Sequence, residues 1–431
     1  MARAANVAKL KKALMRSNTR LLLSAVLLFQ FVSALLLTFK GDTIDMQALL
    51  FTFAIPAVTW LVCTQITRLW PVDRAIIILA LLLCSIGIIS LKDIARSPIT
   101  PGNQAKYALV ALVGMFAGIF GIRMFKFWKK ATPILMVICL GALISPSLIG
   151  VWKYGARNWI EIGGFSIQPS EFMKPVFIMI LASGFSNRPR FMKTLPTLAF
   201  AAMCCGVLLF QRDLGALLLY FLTTVAMFFV ATSNGLLTLS GLGMGAAAAV
   251  IACKALPYVQ RRVDMWRDPW SDPEVYGYQI VQSLIAIGSG GLFGMGLGLG
   301  SPRNIPLYHS DFIFAALTEE FGLIFSVGLL IIYVLLIMRG VIVAMNARTS
   351  FHSLTAMGIV TMIGLQTMLI VGGNTKLLPL TGVTLPLISS GGSSLVSTFF
   401  AIGILSGISS MNAEDEARDI ELIEMSQEAM M

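Results

Sequence analysis

The sequence predicts an all-α membrane protein, a polytopic bundle of about twelve transmembrane helices. Of the 431 residues, 57% are hydrophobic and only 12% are charged, and the mean hydropathy is +0.84. Soluble domains are about 45–50% apolar and about 25% charged. The apolar residues also form runs of the length that a helix needs to cross a bilayer, about 20 residues. One helical membrane domain is therefore favoured over the two or three soluble domains that the length alone suggests.

Twelve apolar runs are long enough to be read as membrane spans. The runs at 172–186 and 391–410 give the weakest signals, because they are short or rich in Ser and Gly. No small-residue cleavage site follows the first run, which is therefore read as a span and not as a signal peptide. The twelve runs are 21–39, 46–65, 75–91, 107–122, 131–151, 172–186, 194–210, 214–233, 236–256, 312–338, 354–372 and 391–410.

The distribution of basic residues predicts how the spans are oriented. Lys and Arg are abundant in segment 1–20, in 123–130 and in 186–193, which lie on one side if twelve spans alternate. By the positive-inside rule that side is cytoplasmic. Both termini are then cytoplasmic, and the acidic tail 411–431 is expected to be a solvated, mobile end. The same alternation places three loops outside the cell, namely 152–171, the long 257–311 and 373–390.

Several function classes are excluded by composition and spacing. The net charge of +11 is spread over many loops and forms no single basic patch, which argues against nucleic-acid binding. The six cysteines lie in or beside apolar runs without CxxC or Cys/His spacing, and two histidines are too few for a zinc site. The glycine-rich stretch 288–301 follows no predicted strand, so a dinucleotide site is also excluded.

Acidic residues in and beside the apolar runs are the strongest functional signal. A charge near the bilayer centre costs about 2.5–3.5 kcal/mol even on an insertion scale. Glu171 and Lys174 share a helix face, a spacing that also fits a purely structural ion pair. Asp213 opens the eighth run, and Asp311 and Glu319 are eight residues apart, which predicts nearly the same face of the tenth run. Together these groups indicate a water-filled cavity close to the outer face.

The outer loop 257–311 is too aromatic to be a disordered linker. Within it, Ile280, Leu284 and Ile287 recur at helical spacing, which predicts a short helix over 278–293. This helix lies either at the membrane interface or over the bundle as a packing plug.

Two functional classes fit a polar cavity of this kind. A transporter places its acids near the bilayer midplane and often has two similar halves with broken helices. No convincing internal repeat is present here. An enzyme that acts on a lipid-linked substrate places its acid near one face, beside an outer loop. Asp311 at the mouth of a span favours the enzyme.

Five motifs occur in order along the chain, and together they resemble the SEDS family of RodA/FtsW/SpoVE peptidoglycan glycosyltransferases. They are "GARNWIEIGGFSIQPSEFMK", "QRDLG", "GYQIVQSLIAIGSGGLFGMGLG", "PLYHSDFIFAALTEEFG" and "LTGVTLPLISSGGSS". The resemblance covers a core at 107–410. It implies a GT-C-like bundle of ten spans around a central cavity, so two extra spans fall within the preceding segment 21–106.

The resemblance also implies an activity and a partner. The family polymerises lipid II at the outer face of the cytoplasmic membrane, in cell elongation or division, together with a class B penicillin-binding protein that acts as transpeptidase. The family's essential aspartate, in an H-T-D-F motif, corresponds to Asp311. We expect Asp311 to be the general base that activates the attacking sugar hydroxyl, and the reaction to invert the anomeric configuration.

Further substrate-binding residues are expected from the same motifs and loops. Arg157 and Lys174 are candidates to bind the departing pyrophosphate, and a divalent cation, Mg²⁺ or Mn²⁺, is a candidate cofactor without assigned protein ligands. A lipid II flippase is the alternative function. The remaining candidates for substrate binding are Glu171, Asp213, Gln279, Gln282, Ser283, His309, Glu319, Glu320, Thr384 and Ser393.

Overall fold

The computed structural model describes residues 2–40, 43–95, 99–124, 128–153, 155–163, 165–186 and 191–428. Within these ranges the chain forms fourteen α-helices, two single-turn 3₁₀ helices and one small antiparallel sheet. The helices are α1 (Ala2–Thr38), α2 (Met46–Leu69), α3 (Arg74–Ile94), α4 (Ile99–Met124), α5 (Trp128–Ile149), α6 (Pro169–Phe185), α7 (Phe191–Phe210), α8 (Leu214–Thr232), α9 (Gly235–Ala255), α10 (Pro257–Arg267), α11 (Tyr278–Gly290), α12 (Ile313–Met345), α13 (Ser350–Asn374) and α14 (Gly392–Glu428).

The predicted all-α membrane bundle is confirmed. Among the described residues, eleven helices are long and apolar enough to cross a membrane. The predicted run at 172–186 forms α6, which is shorter, with 17 residues. Pro169 lies in the first turn of this helix. Backbone N–H groups in the first turn have no partner within the helix, so the N–H that proline lacks costs no hydrogen bond. α6 nevertheless lies at the centre of the bundle, packed against α5, α8, α13 and α14.

Glycines let the backbones of α14 and α4 come close in the middle of the bundle. A Cβ atom added to Gly403 of α14 would lie 2.1 Å from the carbonyl oxygen of Met115 in α4, and one added to Gly118 of α4 would lie 2.4 Å from that of Phe400. Close packing of this kind is the usual way in which membrane helices associate without a hydrophobic driving force. α3 is also a central helix, and both α1 and α2 pack against it.

The loops that are predicted to face outward contain regular structure, and the sequence pattern predicted only part of it. Loop 152–171 folds into a sheet of β1 (Val151–Lys153), β2 (Ala156–Ile162) and β3 (Phe165–Ile167). Trp159 pairs with Val151, and Ile160 pairs with Ile167. In the long outer loop, α11 is the short helix that the spacing predicted. It packs along α12, so it belongs to the bundle.

The acidic tail is more ordered than expected. We predicted a mobile end over 411–431, but α14 continues as a helix through Glu428. Its first turns beyond the bundle are held by ion pairs from Arg123 to Glu414, at 2.8 Å, and from Arg348 to Asp415, at 3.5 Å. Parts of two predicted cytoplasmic loops, 125–127 and 187–190, lie outside the described residues.

The predicted orientation can be tested at two exposed serines on opposite sides of the bundle. We expect an impermeant maleimide to label Ser271→Cys in intact cells, because the long outer loop faces out. Ser350→Cys, at the start of α13, should react only after the membrane is permeabilised. Both variants are made in a chain whose six native cysteines are replaced. Labelling of Ser350→Cys in intact cells would show that the span count is wrong.

Candidate functional site around Asp311

Asp311 lies in a turn just before α12, and Asn374 fastens that turn to the bundle. The Asn374 side-chain amide donates a hydrogen bond of 2.8 Å to the backbone oxygen of Asp311. Its amide oxygen accepts one of 3.1 Å from the N–H of Ala315. The Ser283 hydroxyl of α11 donates to the backbone oxygen of Asn374 at 2.9 Å. One buried amide therefore joins the beginning of α12 to the end of α13, with α11 attached to it.

The loop between α13 and α14 covers the other side of the same turn. Ser389 donates to the backbone oxygen of Ser310 at 2.6 Å, and the N–H of Ser390 donates to the backbone oxygen of His309 at 2.8 Å. Gly382 of this loop has a φ of +73°, and a Cβ atom added there would lie 3.6 Å from Oδ2 of Asp311. The carboxylate therefore faces a loop whose backbone approaches it closely.

Arg262 of α10 brings a positive charge to this carboxylate. Its guanidinium donates to the backbone oxygens of Leu380 at 3.2 Å and Thr381 at 3.3 Å. The negative charges of Asp213 and Asp311 both act on Arg262 and oppose the effect of burial, which lowers its pKa. Burial raises the pKa of Asp311 to about 6, against the opposing effects of a hydrogen bond with Ser310 and of the Arg262 charge. Burial therefore shifts the pKa of Asp311 toward neutral pH.

Sequence reasoning missed both Asn374 and Arg262. A signal for Arg262 is present in α10, where Tyr258, Arg262 and Trp266 recur every four residues and share one helix face. Tyr258 and Trp266 both hydrogen-bond to backbone oxygens of neighbouring segments, at 3.2 and 3.1 Å. An arginine on the packed face of an amphipathic helix indicates a specific hydrogen-bonding or acidic partner within the protein. Asn374 carried no comparable signal, because its role depends on three separate segments meeting.

Asp213 lies where α8 begins and accepts several hydrogen bonds. Its Oδ1 caps the helix through the N–H of Ala216 at 3.1 Å. Its Oδ2 accepts from the side chains of Asn158 at 2.7 Å and Gln168 at 3.1 Å. The backbone N–H of Gln168 in turn donates to Ser393 at 3.2 Å. Asp213 therefore joins the outer sheet to α6, α8 and the start of α14.

Glu171 and Lys174 form the buried ion pair that their spacing allowed. The two side chains are 9% and 7% exposed, and Nζ of Lys174 lies 2.7 Å from Oε1 of Glu171. Lys174 also donates to Gln366 at 3.0 Å, and Gln366 donates to the backbone oxygen of Thr384 at 2.8 Å. The Thr384 hydroxyl then donates to Ser394 at 2.8 Å. This chain of contacts connects α6 to the loop that faces Asp311.

The other predicted site residues lie elsewhere. Arg157 donates to the backbone oxygens of Gly150 and Leu148 where α5 ends, at 3.1 and 3.3 Å. Gln279 is half-buried on α11. Gln282 lines a cavity of about 240 Å³ that Glu319 also borders.

Glu319 and Glu320 contact the segment between α11 and α12. The prediction that Asp311 and Glu319 share one helix face was wrong, because α12 begins at Ile313 and Asp311 precedes the helix. Glu319 accepts a hydrogen bond from the N–H of Ser301 at 2.9 Å, and Glu320 accepts one from the N–H of Gly298 at 2.7 Å. Both carboxylates therefore hold the segment between α11 and α12.

In the part of the chain that the structure describes, no three His, Cys, Asp or Glu side chains are placed to hold a metal ion together. The six cysteines are free, and four of them are buried, as expected for small apolar side chains.

Residues 72–414 match the family of cell cycle proteins that comprises FtsW, RodA and SpoVE. The chain is 36% identical to stage V sporulation protein E of Bacillus subtilis, over 78% of this chain and 96% of that protein. It is 38% identical to peptidoglycan glycosyltransferase RodA of Mycobacterium tuberculosis over 59% of this chain, and the match spans only 58% of that relative.

Solved structures are similar as well. The rod shape determining protein RodA of Thermus thermophilus has a TM-score of 0.60 and 26% identity, covering 78% of this chain and 96% of that one. A chain from a peptidoglycan synthase complex that coordinates polymerization and crosslinking has a TM-score of 0.67 and 26% identity, covering 79% of this chain and 98% of that chain. The family match contains α3 to α13 in full, and it ends within α14.

The buried ion pair generates a prediction about stability. Lys174→Met removes one charge and leaves Glu171 buried without a cation, and removal of one partner of a buried pair costs about 3–5 kcal/mol. We expect a clearly lower thermal unfolding temperature in detergent. The double variant Lys174→Met/Glu171→Gln removes both charges and should recover much of the loss. Equal unfolding temperatures for the single and double variants would contradict a structural role for the pair.

Proposed function

Because the chain belongs to the FtsW/RodA/SpoVE family of cell cycle proteins, we propose that it is a peptidoglycan glycosyltransferase. It joins lipid II units into glycan strands at the outer face of the bacterial cytoplasmic membrane. The observation that carries this proposal is Asp311, a carboxyl group with a pKa of about 6 held among outer loops beside Arg262. Such a group is suited to accept a proton at neutral pH.

In the proposed reaction, a sugar hydroxyl of one substrate attacks the anomeric carbon of another. Asp311 accepts the hydroxyl proton as the new C–O bond forms. The bond to undecaprenyl pyrophosphate breaks, and the pyrophosphate leaves with the bonding electron pair. One base and a good leaving group require no covalent intermediate, so an α-linked donor gives a β-linked product.

The leaving pyrophosphate needs nearby positive charge. Lys174 and Arg157 remain candidates from the sequence, although each already has hydrogen-bond partners in the protein. Arg262 is an additional candidate, since its charge acts on Asp311 and guanidinium is suited to phosphate oxygens. Arg262 would then serve both the base and the leaving group.

We also propose that any divalent cation, Mg²⁺ or Mn²⁺, binds together with the substrate pyrophosphate. Mg²⁺ is usually held by one or two carboxylates plus substrate phosphates. The described residues contain no group of three protein ligands, which agrees with this mode of binding. Asp213 and Asp311, whose charges act on Arg262, would face such an ion, which would neutralise charge on the pyrophosphate.

The proposed partner is a class B penicillin-binding protein that crosslinks the new strands. The similarity to a chain of a complex that coordinates polymerization and crosslinking supports this partner. The outward orientation of the site is supported by the basic loops on the opposite side of the bundle. The direct test is to incubate the purified protein with labelled lipid II, with and without the transpeptidase, and to separate the glycan strands by gel electrophoresis.

Asp311→Asn tests the proposed base. The substitution keeps the volume and the hydrogen bonding but removes the basicity, and base catalysis is worth about 10²–10⁴-fold. We expect polymerisation to fall at least about a hundredfold at every magnesium concentration, measured with labelled lipid II.

The controls for Asp311→Asn are its expression, its thermal stability and its binding to the transpeptidase, which should be near normal. Movement of lipid II across proteoliposome membranes, if measurable, should be unchanged. Loss of that movement with polymerisation intact would favour the flippase, and polymerisation within tenfold of normal would remove Asp311 as the base.

The pKa of Asp311 predicts the pH dependence of the reaction. The base must be ionised, so kcat/KM should fall as the pH drops through about 6. Arg262→Gln removes a charge that favours the ionised carboxyl, so the acidic limb should move to higher pH. Arg261→Gln is the matched control, since Arg261 is exposed and stacks on Tyr276 at 4.2 Å. An unchanged limb in Arg262→Gln would show that Arg262 does not act on the base.

A further inference from the structure

A second charged cluster lies at the outer ends of α1, α3 and α12, apart from Asp311. Lys40, which follows α1, forms an ion pair with Asp93 at the end of α3. The Asp93 side chain is 0% exposed, and its Oδ2 has no hydrogen-bond partner. The Asp93 side chain and the charge of Lys40 both act on Glu320 of α12, the Asp93 side chain more strongly. The ammonium group of Lys40 therefore pairs with Asp93, and its charge also acts on a second acid.

The ammonium group of Lys40 lies against the backbone of the segment between α11 and α12. Gly298 of that segment has a φ of +68°, and a Cβ atom added there would lie 1.8 Å from Nζ of Lys40. The N–H of Gly298 donates to Glu320 at 2.7 Å. A cavity of about 290 Å³ borders the cluster, and both acids and Lys40 line it. The only other charged side chain in that lining, Arg303, donates to the backbone oxygens of Ile94 and Ala95.

The cluster joins a part of the chain that matches the family to a part that precedes the match. Asp93, Gly298 and Glu320 lie within residues 72–414, whereas Lys40 belongs to the preceding hairpin of α1 and α2. Like charges at close range repel, and a buried carboxylate requires a cation or a hydrogen-bond donor. The matched region therefore contains a site for a cation that the hairpin supplies.

We propose that Asp93, Glu320 and the backbone at Gly298 form a binding site for a primary ammonium ion. Lys40 occupies this site as a tethered ligand and so holds the segment 291–304 against α12. In this role Lys40 is a positioning residue, and the function of the hairpin is to present it.

Segment 291–304 is followed in the chain by the turn that contains Asp311. Its Met295 and Gly296 N–H groups donate to the backbone oxygens of Glu319 and Glu320, at 2.8 and 3.0 Å. Those oxygens are available because α12 departs from helical geometry at Gly322, where φ is +83°. Displacement of the segment would therefore be transmitted to the turn that contains Asp311. This effect on activity rests on the proposed function, but the effect on stability does not.

The test is chemical rescue of Lys40→Ala in the full-length protein. We expect a thermal unfolding temperature lower by several degrees and polymerisation reduced about ten- to a hundredfold. Ethylammonium chloride in the millimolar range should restore both. Tetramethylammonium and sodium chloride should restore neither, because they cannot donate N–H hydrogen bonds to the two acids. Lys106→Ala, at an exposed position of α4, is the matched control and should respond to none of the salts.

The hairpin should remain docked in Lys40→Ala, because Lys92 of α3 pairs separately with Asp45 before α2 at 2.6 Å. If Lys40→Ala does not fold, Lys40→Met/Asp93→Asn removes the uncompensated charge and should fold. Failure of that double variant as well would overturn the proposal. So would normal unfolding temperature in Lys40→Ala, or equal rescue by all three salts. Restored stability without restored activity would contradict only the link to Asp311.

Discussion

The geometry around Asp311 depends on the hydrogen bonds of one buried side chain, Asn374. Its amide binds the turn before α12 and the first turn of that helix, and its own backbone oxygen accepts from Ser283 of α11. A buried amide in an apolar bundle must satisfy its donors and acceptors within the protein. Three segments that are far apart in sequence are therefore held in one arrangement, and this arrangement positions the carboxyl group of Asp311.

The acids of the bundle and its loops have different kinds of partner. Asp213 accepts from amides and caps a helix, and Glu171 is neutralised by Lys174. Glu319 and Glu320 accept backbone N–H groups of the segment before α12. Asp311 differs in that burial raises its pKa to about 6, against the opposing charge of Arg262. Of these five acids, Asp311 is therefore the one that we propose for proton transfer.

The loops on the side of Asp311 are part of the folded bundle and do not merely cover it. α10 contacts the loop after α13 through Arg262 and Trp266, and the 291–304 segment follows the irregular turn of α12 at Gly322. Because these contacts use backbone oxygens, they depend on loop conformation more than on side-chain identity. A site assembled from loops becomes rigid when their backbones are bound in this way. The N-terminal hairpin of α1 and α2 adds a further contact through the ion pair of Lys40 with Asp93.

The sequence by itself determined the membrane class and the positions of the eleven long helices, of α6 and of α11, and it predicted a role for Asp311. These features follow from local signals, namely apolar runs of span length, helical spacing and an acid at the mouth of a span. Only the tertiary structure decided that Asn374 and Arg262 surround Asp311, that Glu319 and Glu320 contact the segment before α12, and that loop 152–171 forms a sheet. Hydrogen bonds between distant segments decide which residues come together, and periodicity within one segment carries no information about these bonds. The helical wheel failed at Asp311 for the same reason, since where α12 begins is set by its contacts with Asn374 and the 375–391 loop.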